Sequence, residues 1–224
     1  MSGRRPKFVK QRPPAESVDT SWRLFLAVPL PPPVVAFVGE IIRDLREEPW
    51  PVRWVAPDGA HITLHFLGET EPERAELLRL ALEPVIAGHS AFALRTADLG
   101  AFPSIKRPRV LWLGLWGPAH RLVSLHAAIG KTLAAYAFEV ADEEQFHPHI
   151  TLGRVRGGRE GADRNLPLAI RQRFEALQAS GEVSHDNPVP LPITEVHLMR
   201  SHLSHEGARY ETIERFPLAP EPRS

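Results

Sequence analysis

The sequence has no cysteine. Disulfides, thiolate metal sites and thiol nucleophiles are therefore excluded, and the composition fits a reducing cytoplasm. It has no excess charge of either sign, since 27 Lys and Arg balance 27 Asp and Glu. A protein that coats long stretches of a polyanion carries a basic excess, so neutrality implies a small footprint on any such ligand. No uninterrupted apolar run is long enough to span a bilayer, and no membrane association is expected. The basic, proline-containing start, with Arg4, Arg5, Lys7, Lys10 and Arg12, lacks the apolar stretch of a secretory signal. Residues 1–20 read as a disordered tail. Residues 21–220 read as one domain.

What is present is ordinary globular sequence, 43% hydrophobic and 24% charged. Strand patterns occur near residues 22–28, 61–67, 92–99, 110–116, 149–155, 193–199 and 209–216. Helical spacing occurs at Val34, Val35, Val38, Ile41, Ile42 and Leu45, at Leu78, Leu82, Val85 and Ile86, and at Leu122, Leu125, Ile129 and Leu133. A short helix is expected near residues 168–177. Gly68 reads as a strand breaker, and Thr70 with Glu73 as a capping box. The proline-rich stretch 187–192 reads as a loop. Long helices between hairpin-like strands predict an α+β fold with antiparallel sheets.

One tetrapeptide recurs. His61-Ile62-Thr63-Leu64 returns as His149-Ile150-Thr151-Leu152. Identity over four residues is weak by itself, but the pattern inside it carries chemistry. Alternate side chains of a strand share a face. Each copy therefore has an apolar anchor on one face and an imidazole with a hydroxyl on the other. Two such strands facing each other place two imidazoles and two hydroxyls around one cavity. That set suits cleavage of a phosphodiester. A neutral imidazole deprotonates the attacking water and an imidazolium protonates the leaving oxygen. The hydroxyls hydrogen-bond non-bridging phosphate oxygens.

Here the sequence resembles the two-histidine phosphoesterases, and within them the RNA 2′,3′-cyclic phosphodiesterases, also called 2′-5′ RNA ligases. Residues 23–28 are similar to that family's opening strand. Trp54-Val55 and residues 61–68 resemble its first motif and lead-in. Residues 99–103 and 109–112 resemble its middle segment, 146–154 its second motif, and 201–203 with 207–210 its closing hairpin. The resemblance implies two pseudo-symmetric lobes, each an antiparallel sheet with helices on its outer face, and a cleft between them. It implies catalysis with no metal and no other cofactor. His61 is expected to be the proton donor and His149 the proton acceptor. Thr63, Thr151 and Arg154 are expected to bind substrate. RNA ends or small cyclic nucleotides are the implied substrates, handled by a monomer with no obligate protein partner.

Other residues have duller roles open to them. His65 shares the predicted face of His61, but its counterpart in the second copy is Gly153, so it is expected at the periphery. His89, His120 and His126 are expected on the surface. Arg156 and Arg159 flank glycines and suit either phosphate or solvent. Phe102 is a candidate for stacking on a base, whereas core packing is expected for Phe25 and Trp54. A metal hydrolase is the rival mechanism, because His147-Pro148-His149 and the His61 to His65 spacing suit metals; no carboxylate falls inside either motif. A non-catalytic nucleotide-binding module is the rival class, and it predicts loss of a motif histidine, which has not occurred.

Overall fold

The computed structural model describes residues 21–138, 146–156, 165–183, 188–204 and 207–221. The basic tail lies outside these residues, as does most of the glycine- and arginine-rich loop after the second motif. The elements in chain order are β1 (Trp22–Pro29), α1 (Pro32–Leu45), β2 (Val52–Trp54), a 3-10 turn (Pro57–Gly59), β3 (His61–Thr70), α2 (Pro72–Ala87), β4 (Phe92–Phe102), β5 (Val110–Trp116), α3 (Ala119–Ala135), β6 (His149–Val155), α4 (Leu166–Ala179), β7 (Pro190–Ile193), β8 (Glu195–Ser204) and β9 (Gly207–Pro217).

Two antiparallel sheets result. The first runs β3-β1-β8-β9 and the second β2-β6-β5-β4-β7. Helices α2 and α3 pack together, α2 against β9 and α3 against β3. On the second sheet α4 packs against β4, and Arg173 of α4 is paired with Asp44 of α1. The lobes are interleaved in sequence, since β1, β3, β8 and β9 build one sheet and the remaining strands the other. The two motif strands, β3 and β6, approach each other where the sheets meet.

The anchors behave as the repeat predicts. Ile62, Ile150 and Leu152 are fully buried and Leu64 nearly so. Each such side chain is worth about 1.5–3 kcal/mol against exposure. A one-residue slip of either strand would reverse that burial, so the register is firmly specified.

Three local readings are corrected. Gly68 does not end β3: with φ of 69° it carries the strand through a bulge to Thr70. Glycine tolerates that backbone region where other residues are strained. The capping box does not form, because Thr70 Oγ1 turns to the Gly68 carbonyl at 3.4 Å and Glu71 occupies the cap position. The proline-rich stretch supplies a strand, β7, which pairs with β4 at the sheet edge. Pro190 and Pro192 alternate with fully buried Leu191 and Ile193. An edge strand tolerates prolines where the missing N–H would have faced solvent.

Candidate active site

His61 opens β3 and His149 opens β6. Their rings are fixed in the same way. His61 Nδ1 is 2.8 Å from the carbonyl of Gly59, and His149 Nδ1 is 2.7 Å from the carbonyl of His147. A carbonyl only accepts, so both Nδ1 atoms carry the hydrogen. Each neutral ring therefore keeps its lone pair on Nε2, the atom left for chemistry. Each ring also lies against a phenylalanine, Phe25 for His61 and Phe102 for His149, both with centroids 4.9 Å away. Tyr210 meets His61 edge-on at 5.2 Å. Thr63 and Thr151 follow on the same face, half-buried like the histidines.

Directly after the threonines the strict alternation fails, identically in both strands. Ala27 pairs with Thr63 but Leu26 pairs with His65, leaving Leu64 as an extra residue. Trp112 pairs with Thr151 but Leu111 pairs with Gly153, leaving Leu152 as the extra one. A bulge inverts every later side chain. His65 and Gly153 thus leave the cleft face, while Phe66 and Arg154 return to it. Strict alternation had put His65 beside His61. Instead His65 is buried on the helical side, its Nε2 2.9 Å from the carbonyl of His126. His126 is correspondingly not a plain surface residue. It is stacked between His65 at 3.9 Å and Phe146 at 4.0 Å.

Burial also shifts the two motif histidines, as it does His65 and His126. Burial lowers the pKa of His61 below its usual value; its bond to Gly59 opposes this, and the charges of His149 and Arg154 lower it further. Burial also lowers His149, opposed by its bond to His147, with Arg154 and His147 adding to the drop. Arg154 thus acts on both imidazoles, which places it where the bulge predicts. Its side chain is exposed.

A cavity of about 770 Å³ adjoins His61 on the first lobe, with Ala27, Met199, Tyr210, Thr212 and His197 among its lining. Sequence reasoning passed over His197. Alternation could have found it, since its neighbours Val196 and Leu198 are fully buried on the other face. Glu195 Oε1 lies 2.9 Å from His197 Nε2 but off its hydrogen-bonding direction, so the contact is electrostatic and Nε2 stays without a hydrogen bond. Phe25 is buried as expected, yet it serves as the wall of His61. Trp54 is on the far face beside Trp50. Among the described residues no group of three or more His, Cys, Asp or Glu is arranged to hold a metal ion.

The family described as the 2′-5′ RNA ligase superfamily matches residues 30–204. The chain belongs to that superfamily. An RNA 2′,3′-cyclic phosphodiesterase of Aeropyrum pernix is 33% identical over 165 residues, 73% of this chain and 84% of that protein. The protein of the same name from Escherichia coli is 37% identical over 138 residues, 59% of this chain and 71% of its own. A Thermus thermophilus structure superposes with a TM-score of 0.66 at 26% identity, covering 89% of this chain and all of that one. Escherichia coli LigT complexed with 3′-AMP superposes with a TM-score of 0.64 at 26% identity, covering 88% and 98%. The two-sheet fold is therefore shared with these structures.

Proposed function

We propose that this enzyme hydrolyses 2′,3′-cyclic phosphates at RNA ends to 2′-phosphomonoesters, without a metal. The observation that carries this is the pair of imidazoles, each with Nδ1–H held by a carbonyl and Nε2 left for the cleft. His149 Nε2 takes a proton from water as its oxygen attacks phosphorus. The bond from phosphorus to the 3′-oxygen breaks, and His61 Nε2–H delivers the proton to that oxygen. Thr63 and Thr151 donate to the non-bridging oxygens as charge builds there, and Arg154 binds the anionic substrate beside them. A 5′-hydroxyl in place of water gives a 2′-5′ linkage by the same steps. Residues 21–220 act as one bilobal domain, a cytoplasmic monomer. No described helix is long and apolar enough to cross a membrane.

The assignment of roles has its own support. The cavity of about 770 Å³ beside His61 has room for a nucleoside, which supports seating the ribose, and so the leaving oxygen, on that side. His149 stands next to exposed His147 and Arg154, where water enters. Burial, which holds His61 below its usual pKa, favours its giving up a proton once charged. Charge on either imidazole disfavours charge on the other, so the two histidines titrate as a pair. An anionic phosphate bound beside His61 favours its protonated form, the proton coming from solvent.

The test is to incubate the protein, in excess chelator, with a short RNA ending in a 2′,3′-cyclic phosphate. A 2′-phosphate end is expected. A 3′-phosphate end would refute the bond assignment, and dependence on added metal would refute the two-histidine mechanism.

A further inference from the structure

The second lobe carries a strand that the first lobe lacks. β3 is the edge of its sheet, whereas β6 is flanked on its outer side by β2. This short strand is closely fitted. A Cβ on Gly153 would stand 2.6 Å from Val52 and 2.9 Å from Trp54, so only glycine lets β2 lie this close. The Val55 amide then donates to the Leu152 carbonyl at 2.9 Å, which pins β2 at the bulge itself.

The consequence is a pairing that local stability disfavours. Arg53 lies directly opposite Arg154. Direct partners in a ladder share a face, so both guanidinium groups rise on the face of His149 and Thr151. Like charges directly opposite repel. Both residues are exposed, and neither has a hydrogen bond or ion pair with a described carboxylate. Arg156, two residues beyond Arg154 and bonded through its backbone to Pro51, extends the basic stripe along β6. At the first lobe's equivalent of Arg154 stands Phe66. At this position the lobes differ, with paired guanidinium groups on the second and an aromatic ring on the first, although Arg209 and Asp58 also line the cavity beside His61.

We propose that Arg53 and Arg154 form a second anion site, which binds a backbone phosphodiester of the RNA chain rather than the reacting phosphate. This rests on the cyclic phosphodiesterase reading above. The reacting phosphate already has two imidazoles and two hydroxyls. Arg53 stands farther out by one strand spacing, about 4.8 Å, and by about 7–10 Å along β6 from Thr151. That displacement suits a neighbouring phosphate of the same chain. Two guanidinium groups on one face present paired N–H donors to an oxyanion, the geometry in which arginine binds phosphate best. The enzyme then prefers an oligonucleotide end to a cyclic mononucleotide.

The experiment compares wild type, Arg53→Gln and Arg53→Lys on 2′,3′-cyclic AMP and on a four-nucleotide RNA with a 2′,3′-cyclic phosphate. Binding of the same RNA ending in a 2′-phosphate is measured by fluorescence anisotropy at several salt concentrations. Arg53→Gln is expected to lower kcat/KM on the RNA about tenfold more than on the mononucleotide, through KM. It should weaken RNA binding by a similar factor and flatten the salt dependence by about one unit of slope. Arg53→Lys should recover part of the binding. The thermal midpoint of Arg53→Gln should be unchanged or raised, because a repulsion is removed. Equal losses on both substrates, unchanged RNA binding, or a lowered midpoint would overturn the second site. If wild type binds the RNA with the expected dependence on Arg53 but turns over neither substrate, the catalytic reading fails and the anion site stands.

Discussion

The two motif strands are copies up to one position and opposites beyond it. Both open with a histidine locked by its Nδ1–H, both continue to a threonine, and both bulge at the following leucine. After the bulge, β3 presents Phe66 to the cleft beside Phe25, and β6 presents Arg154 beside Arg53. In the proposed mechanism the shared part supplies a symmetric pair of proton-transfer groups. The divergent part gives the cleft a direction, with a cavity of about 770 Å³ at one histidine and paired guanidinium groups beyond the other. A phosphodiester is itself directional, having one oxygen to be lost and one side to be attacked. A symmetric site with unlike flanks is a simple way to read that direction.

The largest effect should come from the symmetric part. His61→Ala and His149→Ala should each lower kcat by roughly two to four orders of magnitude, measured by product quantification on RNA with a cyclic phosphate end. Near wild-type turnover in either variant would end the comparison, since the two halves would not share the work.

The pH profile sharpens it. Both imidazoles hold protons less tightly than a free histidine, mainly through burial. In the free enzyme the singly protonated pair is therefore most populated below pH 6.5. The kcat/KM profile should be a bell centred on the acid side of that value, falling as the pH rises beyond it. A maximum well above pH 7 would contradict the burial argument.

Thr63→Ala and Thr151→Ala should cost less, about tenfold each, because each removes one hydrogen bond to phosphate. Their losses should resemble each other more than those of Phe66→Ala and Arg154→Ala, which belong to the divergent part.

The smallest effect concerns stability. Burial, then the charge of His65, push His126 down to about 4, against the opposing bond to Leu64. Between that value and 6.5 the unfolded chain binds the extra proton and the native one does not. Stability is therefore lost as pH falls from about 6.5 towards 4. The thermal midpoint should fall over that window, and His126→Phe should fall less because it cannot take up the proton.

Much of this was readable from the residues. The repeat located the four proton-transfer and hydroxyl groups because a strand's period of two needs no tertiary information. Helix positions followed from the spacing of Val34 to Leu45 and Leu122 to Leu133, whose stripes are buried as expected. The bulges were not readable. Leu64 and Leu152 look like ordinary inward residues, and only pairing with β1 and β5 shows that one residue is extra. That single fact moved His65 out of the cleft, brought Arg154 in, and made the stack with His126 possible. His197 and Tyr210 were hidden for a different reason, since they come to His61 through non-local pairing of β8 and β9. Strand β7 was masked by its prolines, whose edge position is a property of the sheet.

The most direct test of the central claim replaces the leaving 3′-oxygen by sulfur. A thiolate leaves without protonation, so a group whose only task is to supply that proton becomes dispensable. With the 3′-thio cyclic phosphate, His61→Ala should regain most of its lost turnover and His149→Ala should not. Rescue of His149→Ala instead would contradict the assignment and exchange the two roles, and rescue of neither would contradict proton transfer to the leaving group altogether.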